Sequence, residues 1–413
     1  MKVLTIANYL YDSRYPEFQR NKTGYGMMVS EIFKGVSNQT DSSFISHVLT
    51  CGHNHILKHT ISDVIFSAKM ADWSNAIEYS KQYGSNYKDR TRYFYYAVNE
   101  GYIRKVVSQK KPDIVHIHGV GISLMPAINI CENNKIPYLV TLHGLIGLHS
   151  SVNTPLHDKM IEKDIIKHFD KTNRIYSVIS SGIKRRIIEN YRVNNIDNIK
   201  VILNGTNIES NEYDPKFEHL RDKYKIESNY KLLIAIGNIS ERKNQEQIIR
   251  AIKLLTDNSI KCHLFICGND TTNGRFDSIV RENGLDDIVH NLGFVDKRSI
   301  WTILKQVDLN IVASKDEGFG LSIIESLCAG VPTVTFKDLD AVVDLYDKEV
   351  MLLSDDRSDQ RLADAIGFAL QKKWNRDLII ARSKLFQMKN ISAQYISTYD
   401  MVRFFDEYNA KKK

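Results

Sequence analysis

The sequence has no long apolar run and few cysteines. No stretch approaches the roughly 18 consecutive apolar residues that a membrane-spanning helix needs. The opening segment Met1–Asn8 is too short and too soon interrupted for a secretory signal peptide. The five cysteines are odd in number and lie in or beside apolar runs, which is typical of reduced thiols. These absences predict a cytoplasmic protein, at most attached to the inner face of a membrane.

Internal repeats and low-complexity segments are also absent. A chain of 413 residues with 43% hydrophobic and 25% charged residues has an ordinary globular composition, and it exceeds the length at which one core stops growing. We therefore expect two domains. Cys51, His53, His55 and His59 lack the paired spacing of a zinc site, so no metal site is predicted.

The charge of the chain is unevenly distributed. Residues 1–200 carry 26 Lys and Arg against 17 Asp and Glu, whereas residues 201–413 carry 30 against 32. A surplus of +9 in the first part could attract an anionic lipid, a phosphorylated acceptor or nucleic acid, or it could be an ordinary solvated surface. Of these partners, nucleic acid is not favoured by any motif in the chain.

Short apolar runs alternate with amphipathic stretches along the whole chain. Continuous apolar strands separated by helices are typical of parallel sheets covered on both faces, so the predicted fold class is α/β. The predicted strands are 3–7, 114–117, 138–141, 175–178, 201–203, 232–236, 263–267, 309–312 and 333–335. The amphipathic pattern predicts helices over 245–255 and 322–329, and residues 72–109 are also predicted to be helical.

The most informative segment runs from Ser314 to Glu325, between a predicted strand and a helix. Gly318 and Gly320 allow a tight turn there, which leaves amides near Leu321 unpaired at a helix N-terminus, a favourable place for a diphosphate. Glu317 precedes the helix and Glu325 lies about 8 Å along its axis, so that one ligand could be contacted at two points. Carboxylates accept strong hydrogen bonds from hydroxyl groups.

Three further segments place polar groups at the end of a strand or at the start of a helix. Gly237 follows a strand, and Arg242 or Lys243 could neutralise a diphosphate beside the next helix. His143 ends the strand 138–141, at the carboxyl edge of a predicted parallel sheet. Gly24 and Gly26 begin a helical pattern and could present backbone amides to a ligand.

The spacing of Glu317 and Glu325 resembles the Glu-x7-Glu motif of the retaining family 4 glycosyltransferases. The similarity extends over nearly the whole chain; it includes Phe319 in the same block, and the segments 141–144, 204–205, 237–243, 293–295 with Phe294, and 329–332. The resemblance implies the GT-B fold, in which two Rossmann-like domains face each other across a cleft. Residues 1–205 would form the acceptor domain and 206–390 the donor domain, with a helix of about 391–413 returning to the first.

The resemblance also implies roles for individual residues. Glu317 would hold hydroxyls of the donor sugar, Glu325 the ribose and Lys243 the diphosphate, while His143 would lie near the sugar and acceptor. Asn238 occupies the place of an arginine usual in the family, and Arg242 is the available substitute. Catalysis would need no metal cofactor; Asp338 and Asp340, which resemble a metal-binding motif of another glycosyltransferase fold, are interpreted as a loop.

The predicted reaction moves a hexosyl or N-acetylhexosaminyl group, with retention, from a nucleoside-diphosphate sugar, with a UDP-sugar favoured. The acceptor would be a saccharide, glycolipid or protein in the synthesis of bacterial surface polysaccharide or glycoconjugate, by analogy with the family. Two alternatives stay open. One is a non-catalytic sugar-nucleotide-binding partner of another transferase, and the other is an epimerase or phosphorylase of the same architecture.

Overall fold

The computed structural model describes residues 1–8, 24–45, 69, 71, 73–83, 87–121, 124–148, 156–207 and 213–412. The group Cys51–His59, considered above for metal binding, lies outside the described residues. The chain divides into two compact units. The first unit contains Met1–Gly205 and Met388–Lys413, and the second contains Thr206–Gln387.

The first unit is built on a six-stranded sheet in the order β2-β1-β3-β4-β5-β6, with every neighbouring pair parallel. The central strands are buried along their full length because helices cover both faces, as their continuous apolar sequences predict. The strands are β1 (Lys2–Ala7), β2 (Asp41–Ile45), β3 (Ile114–His118), β4 (Tyr138–Leu142), β5 (Tyr176–Val178) and β6 (Ile199–Val201).

The helices of the first unit cover this sheet. They are α1 (Gly24–Ser37), α2 (Trp73–Tyr83), α3 (Tyr87–Lys110), α4 (Met125–Asn133), α5 (Leu156–Lys171) and α6 (Ser181–Tyr191). Short 3-10 turns occupy Ile146–Leu148 and Ile196–Asn198. None of the helices within the described ranges combines the length and the apolar character needed to cross a membrane.

The second unit repeats the architecture with a parallel sheet in the order β12-β11-β10-β7-β8-β9. Alternate residues of the strand Lys231–Ile236 enter different cores: Leu233 and Ala235 pack with the helix Gln245–Asp257, whereas Leu232 and Ile234 pack with the helix Lys297–Leu304. The strands are β7 (Lys231–Ile236), β8 (Cys262–Cys267), β9 (Val289–Asn291), β10 (Leu309–Val312), β11 (Thr333–Phe336) and β12 (Met351–Ser354).

The helices of the second unit follow the same alternation. They are α7 (Leu220–Lys223), α8 (Gln245–Asp257), α9 (Arg275–Glu282), α10 (Lys297–Leu304), α11 (Leu321–Cys328), α12 (Val342–Leu345), α13 (Asp359–Gln371) and α14 (Arg376–Ser383). Short 3-10 turns occupy Pro215–Phe217 and Lys384–Phe386.

The last helix, α15 (Met388–Lys412), packs on the first unit against α1 and β4. It begins three residues before the expected position, at Met388. Its inner face buries Tyr395 and Tyr399, and the Tyr399 hydroxyl lies 2.7 Å from Nδ1 of His116 on β3. A polar contact between residues 283 positions apart thus links the end of the chain to the centre of the first sheet.

The structure corrects one predicted strand and adds three. The strand predicted at 201–203 is instead Ile199–Val201, because its partner β5 ends at Val178 and offers no residue to pair with Leu203. Strands β2, β9 and β12 were not predicted. Each is short and lies at an edge of its sheet, where pairing with one neighbour is enough to define a strand whose own sequence carries a weak signal.

Candidate functional site

Two loops at the carboxyl edge of the second sheet meet because β7 and β10 are adjacent and parallel. The loop after β7 covers 237–244 and the loop after β10 covers 313–320. The amide of Lys315 donates to the carbonyl of Arg242 at 2.8 Å, and Nη1 of Arg242 donates to the carbonyl of Asp316 at 2.8 Å. These reciprocal bonds join the two loops into one polar surface.

Glu317 is the centre of this surface. Its Oε2 lies 2.5 Å from Nζ of Lys243, 3.6 Å from Nη1 of Arg242 and 3.3 Å from Oγ of Ser314. Only 14% of the Glu317 side chain and 16% of the Lys243 side chain are exposed. A carboxylate and an ammonium removed from water to this extent stabilise each other more than an exposed pair would.

The protonation of Glu317 follows from this arrangement. Burial by itself would raise the pKa of the carboxyl group, but the charges of Lys243 and Arg242 and the hydrogen bonds from Lys243 and Ser314 outweigh it, so that the pKa lies below 4.5. Glu317 is therefore ionised at neutral pH and can accept hydrogen bonds through its remaining lone pairs.

Helix α11 begins next to this carboxylate. Gly320, at φ +86°, precedes the helix, and no side chain caps it within the described chain. A side chain at Gly320 would be strained by that backbone angle. The first amides, those of Leu321 and Ser322, point out of the helix end and can receive an anion.

Glu325 is half-buried in the second turn of α11. It lies close enough to the end of β8 for its charge to act on Cys267, whose pKa burial raises to about 12 with a smaller contribution from Glu325. The second glutamate of the motif therefore lies near the end of β8, which is separated from β10 by β7 in the same sheet.

The loop that follows β7 packs against the beginning of the loop that follows β8. At Gly268 an added Cβ would lie 2.2 Å from the carbonyl oxygen of Gly237, so no larger residue fits without a backbone shift. The side chain of Asn238 accepts a hydrogen bond from the amide of Asn269, and Gln245 donates to the carbonyls of Gly237 and Asn238. Asn238 is thus used for holding the loop and does not replace the cation of an arginine.

Phe294 lies two loops away along the same edge, after β9. It is half-buried, and the preceding Gly293 accepts a hydrogen bond from the amide of Gly268 at 2.8 Å. The loops after β7, β8 and β9 are therefore linked in series, and Phe294 belongs to the same edge as Lys243 and Glu317.

A second polar group lies within the first unit, at the ends of β3 and β4. Nε2 of His143 is 2.9 Å from Nδ1 of His118, and the Tyr25 ring packs edge-on against His143 with centroids 5.1 Å apart. The Tyr25 hydroxyl donates to the carbonyl of His118 at 2.7 Å. Burial lowers the pKa of His143 to about 3, so its imidazole is neutral at physiological pH.

The loop that follows His143 is held by a buried carboxylate. Glu162 on α5 accepts hydrogen bonds from the amides of Ile146 and Gly147, at 2.6 and 3.0 Å, and from the hydroxyl of Tyr191 at 2.5 Å. Glu162 is fully buried. Its hydrogen bonds fix the backbone immediately beyond His143.

Gly24 and Gly26 form the first turn of α1. Gly24 is exposed and Gly26 is buried. Their amides thus belong to a helix N-terminus, as expected, and the preceding residues 9–23 lie outside the described part of the chain.

Two family models match the chain over separate segments. "Glycosyl transferases group 1" matches residues 216–385 and "Glycosyltransferase Family 4" matches residues 47–210, and together these segments cover well over half of the sequence. The chain belongs to the family 4 glycosyltransferases. The family predicted from the Glu-x7-Glu segment is confirmed.

Curated relatives of this chain share only part of their length with it. The O-antigen biosynthesis glycosyltransferase WclY of Escherichia coli is 25% identical over 182 residues, which are 44% of this chain and 49% of WclY. The N-acetyl-alpha-D-glucosaminyl L-malate synthase of Bacillus anthracis is 23% identical over 237 residues, 56% of this chain and 58% of that protein. The chain thus spans about half the length of the curated relatives it matches.

Solved structures match over nearly the whole chain. Sucrose-phosphate synthase from Thermosynechococcus elongatus has a TM-score of 0.72 at 16% identity, covering 97% of this chain and 99% of the other. Anabaena HepE in complex with UDP and glucose has a TM-score of 0.65 at 16% identity, covering 97% and 100%. With two parallel six-stranded sheets, these matches confirm the α/β class and the GT-B fold.

The predicted site residues fall into two groups. The structure brings Lys243, Arg242 and Glu317 into contact, with Gly318–Leu321 in the adjoining loop, whereas His143 lies with His118 in the first unit. Sequence reasoning missed Gln245, Gly268 and Glu162. Gly268 could have been found, because it follows an apolar strand as Gly237 does; Gln245 and Glu162 carry no local signal, since their partners are distant or backbone groups.

We expect Lys243→Met to lower the free energy of unfolding by roughly 3 kcal/mol at pH 7, because the buried charge of Glu317 then keeps Arg242, at 3.6 Å, as its one ion-pair partner among the described residues. The pKa of Glu317 is depressed in the folded protein, so the stabilisation is present above its ordinary value of 4.5 and is lost as the pH falls through the folded pKa. The deficit of the variant should therefore shrink on acidification, as chemical denaturation at several pH values would measure.

The double variant Lys243→Met/Glu317→Gln should recover most of this loss. Lys315→Met is the matched control, because Lys315 pairs with Glu241 at the exposed surface of the same loops; its effect should stay within about 0.5 kcal/mol. An equal loss in Lys315→Met, or no recovery in the double variant, would contradict a buried ion pair at Glu317.

Proposed function

We propose that the protein catalyses retaining transfer of a sugar from a nucleoside-diphosphate donor, with UDP-sugars favoured, to an acceptor in polysaccharide or glycoconjugate synthesis. The observation that carries the proposal is the contact of Lys243 and Arg242 with Glu317 beside the N-terminus of α11. HepE, a structural neighbour, was solved with UDP and glucose, and WclY, a relative, is named for O-antigen biosynthesis.

The arrangement suits a diphosphate leaving group. Lys243 has three N–H donors, of which Glu317 takes one, so the others are available for phosphate oxygens. The amides of Leu321 and Ser322 add the partial positive charge of a helix N-terminus. Cationic groups already in place where negative charge develops lower the barrier to bond cleavage, because they need not reorganise during the reaction.

Glu317, Glu325 and His143 have different roles in this proposal. Glu317 accepts hydrogen bonds from hydroxyls of the donor sugar, Glu325 from those of the ribose, and His143 lies near the sugar and acceptor. Arg242 supplies the charge that the family's usual arginine would bring, since Asn238 is occupied with Asn269. We place Phe294, Phe319, Gly24 and Gly26 among the donor-binding residues.

The experiment that tests this function screens nucleotide sugars for thermal stabilisation and then for transfer, with the anomeric configuration of the product determined by NMR. A donor that binds only the folded state raises the melting temperature by mass action. Retention of configuration and turnover support the proposal. Stabilisation without transfer to any acceptor would favour the non-catalytic binding partner, and interconversion of the donor without an acceptor would favour an epimerase.

With the donor identified, Glu325→Ala should weaken nucleotide binding by about ten- to a hundredfold, because losing one hydrogen bond to a charged group has an effect of this size. Glu317→Ala should mainly lower turnover, since it contacts the reacting sugar. Glu241→Ala, which removes a carboxylate that is 75% exposed near the same loops, is the control and should change neither. Full activity of both site variants at saturating donor would refute the assignment.

We further propose that transfer needs no metal ion. Within the described residues no group of three or more His, Cys, Asp or Glu side chains could hold one, and Asp338 is paired with Arg357 at 2.7 Å. Turnover in excess chelator should equal turnover without it, because Lys243 and the α11 amides bear the diphosphate charge. Activity lost in chelator and restored by Mn²⁺ or Mg²⁺ would contradict this.

The basic surplus of residues 1–200 supports a cytoplasmic protein that contacts an anionic leaflet, where a glycolipid acceptor would lie. The contacting helices α2 and α5 expose Ile77 and Leu156, at 55% and 72%. We expect co-sedimentation with anionic vesicles that weakens as salt is raised, because screening acts over about 8 Å at physiological ionic strength. Donor affinity should change less.

Ile77→Ser/Leu156→Ser should reduce this co-sedimentation. Phe368→Ser is the matched control, because Phe368 is 62% exposed but belongs to the second unit, which has no basic surplus. Absence of pelleting at low salt would end the membrane proposal and favour a soluble saccharide or protein acceptor.

A further inference from the structure

Three histidines form a row at the carboxyl edge of the first sheet. His116 and His118 alternate on β3 with ring centroids 3.9 Å apart, and His118 contacts His143 at the end of β4. His116 and His118 are fully buried, whereas His143 is half-buried. The contact between Nδ1 of His118 and Nε2 of His143 links the buried pair on β3 to the candidate site residue.

The nitrogens of His116 are both occupied. Its Nε2 lies 2.7 Å from Oγ1 of Thr141, and its Nδ1 lies 2.7 Å from the hydroxyl of Tyr399. His118 differs, because Nδ1 contacts His143 while Nε2 is buried and has no hydrogen-bond partner in the described part of the chain. The tautomer of His118, that is, which of its ring nitrogens carries the proton, is therefore decided by a single hydrogen bond.

Only two arrangements of protons satisfy that bond while both rings are neutral. If His143 donated from Nε2, then Nδ1 of His118 would be the acceptor and the proton of His118 would sit on Nε2 as a buried N–H without a partner. If His118 donates from Nδ1, its Nε2 is an unprotonated acceptor. Unpaired buried N–H groups are the rarer of the two in native proteins, so donation from His118 is favoured.

We infer that His118 is a positioning residue for His143: its Nδ1–H donates to Nε2 of His143, so that His143 carries its proton on Nδ1 and presents a hydrogen-bond donor. At the outward nitrogen His143 can then donate to an oxygen of a ligand, and it has no lone pair there to accept a proton. The role toward the sugar rests on the proposed function, whereas the position of the proton does not.

The surroundings favour two neutral rings. His118 is packed between the rings of His116 and His143, and Tyr25 covers His143 from α1 while donating to the carbonyl of His118. Burial lowers the pKa of both His116 and His143 to about 3. A neutral donor is suited to an uncharged sugar hydroxyl or carbonyl oxygen.

The test is the tautomer of His143 in the full-length protein without ligand. Two-bond proton–nitrogen NMR spectra of histidine-labelled protein distinguish Nδ1–H from Nε2–H, and His143→Gln identifies the signal. We expect a single Nδ1–H form. An Nε2–H form, or a mixture, in the unmodified protein overturns the inference even if every variant at His118 fails to fold.

His118→Phe should abolish the preference and give a mixture of tautomers at His143. Tyr399→Phe is the matched control, since it removes an equally buried hydrogen bond from the same row without touching His143, and the tautomer should remain Nδ1–H. A tautomer that is unchanged in His118→Phe would show that His118 does not set it.

Where transfer is measurable, His118→Phe should lower turnover about two- to tenfold, because a loss of this size corresponds to one hydrogen bond. Donor affinity should change little. Absence of transfer with the expected tautomer would refute the proposed function alone, and an unexpected tautomer would refute the positioning role alone.

Discussion

All polar groups of the candidate site depend on one constraint, the parallel pairing of strands. In a parallel sheet every strand ends at the same edge, so loops from distant segments of the chain are brought side by side. Pairing of β7 with β10 places Lys243 against Glu317 across 74 positions of sequence. Pairing of β3 with β4 does the same for His118 and His143 in the first unit. If either register slipped, these contacts would be lost.

The sites around Glu317 and His143 differ in whether their buried polar groups are charged. Around Glu317 the protein buries charge and compensates it with cations, which produces a carboxylate that is ionised at neutral pH. Around His143 it buries imidazoles that have no carboxylate or cation bonded to them in the described part of the chain, and burial keeps them neutral. A compensated charge suits the binding of a diphosphate, whereas neutral rings suit hydrogen bonds to uncharged groups. Burial is common to both, and the presence or absence of a counter-charge decides the outcome.

Each site also has a supporting shell of buried groups. Gln245 and Gly268 hold the loop that carries Lys243, and Glu162 holds the backbone after His143. None of these side chains belongs to the Glu-x7-Glu segment or its flanking motifs. Gln245 and Glu162 bond mainly to backbone amides and carbonyls, which every sequence possesses, so their residue types alone do not reveal them. Gly268 differs, because it follows an apolar strand as Gly237 does.

The sequence by itself determined the fold class and the family, and it predicted the residues of the candidate site. Continuous apolar runs indicate buried parallel strands. The glycines and glutamates between 317 and 325 are close enough in the chain to be recognised together as a motif. Edge strands such as β2 and β12 escaped prediction because a neighbour, rather than their own composition, defines them. Only the tertiary structure decided that Lys243 meets Glu317, that Asn238 serves its own loop and that His118 contacts His143. These contacts join residues that are far apart in sequence, and their geometry depends on strand register and side-chain packing, which no local pattern encodes.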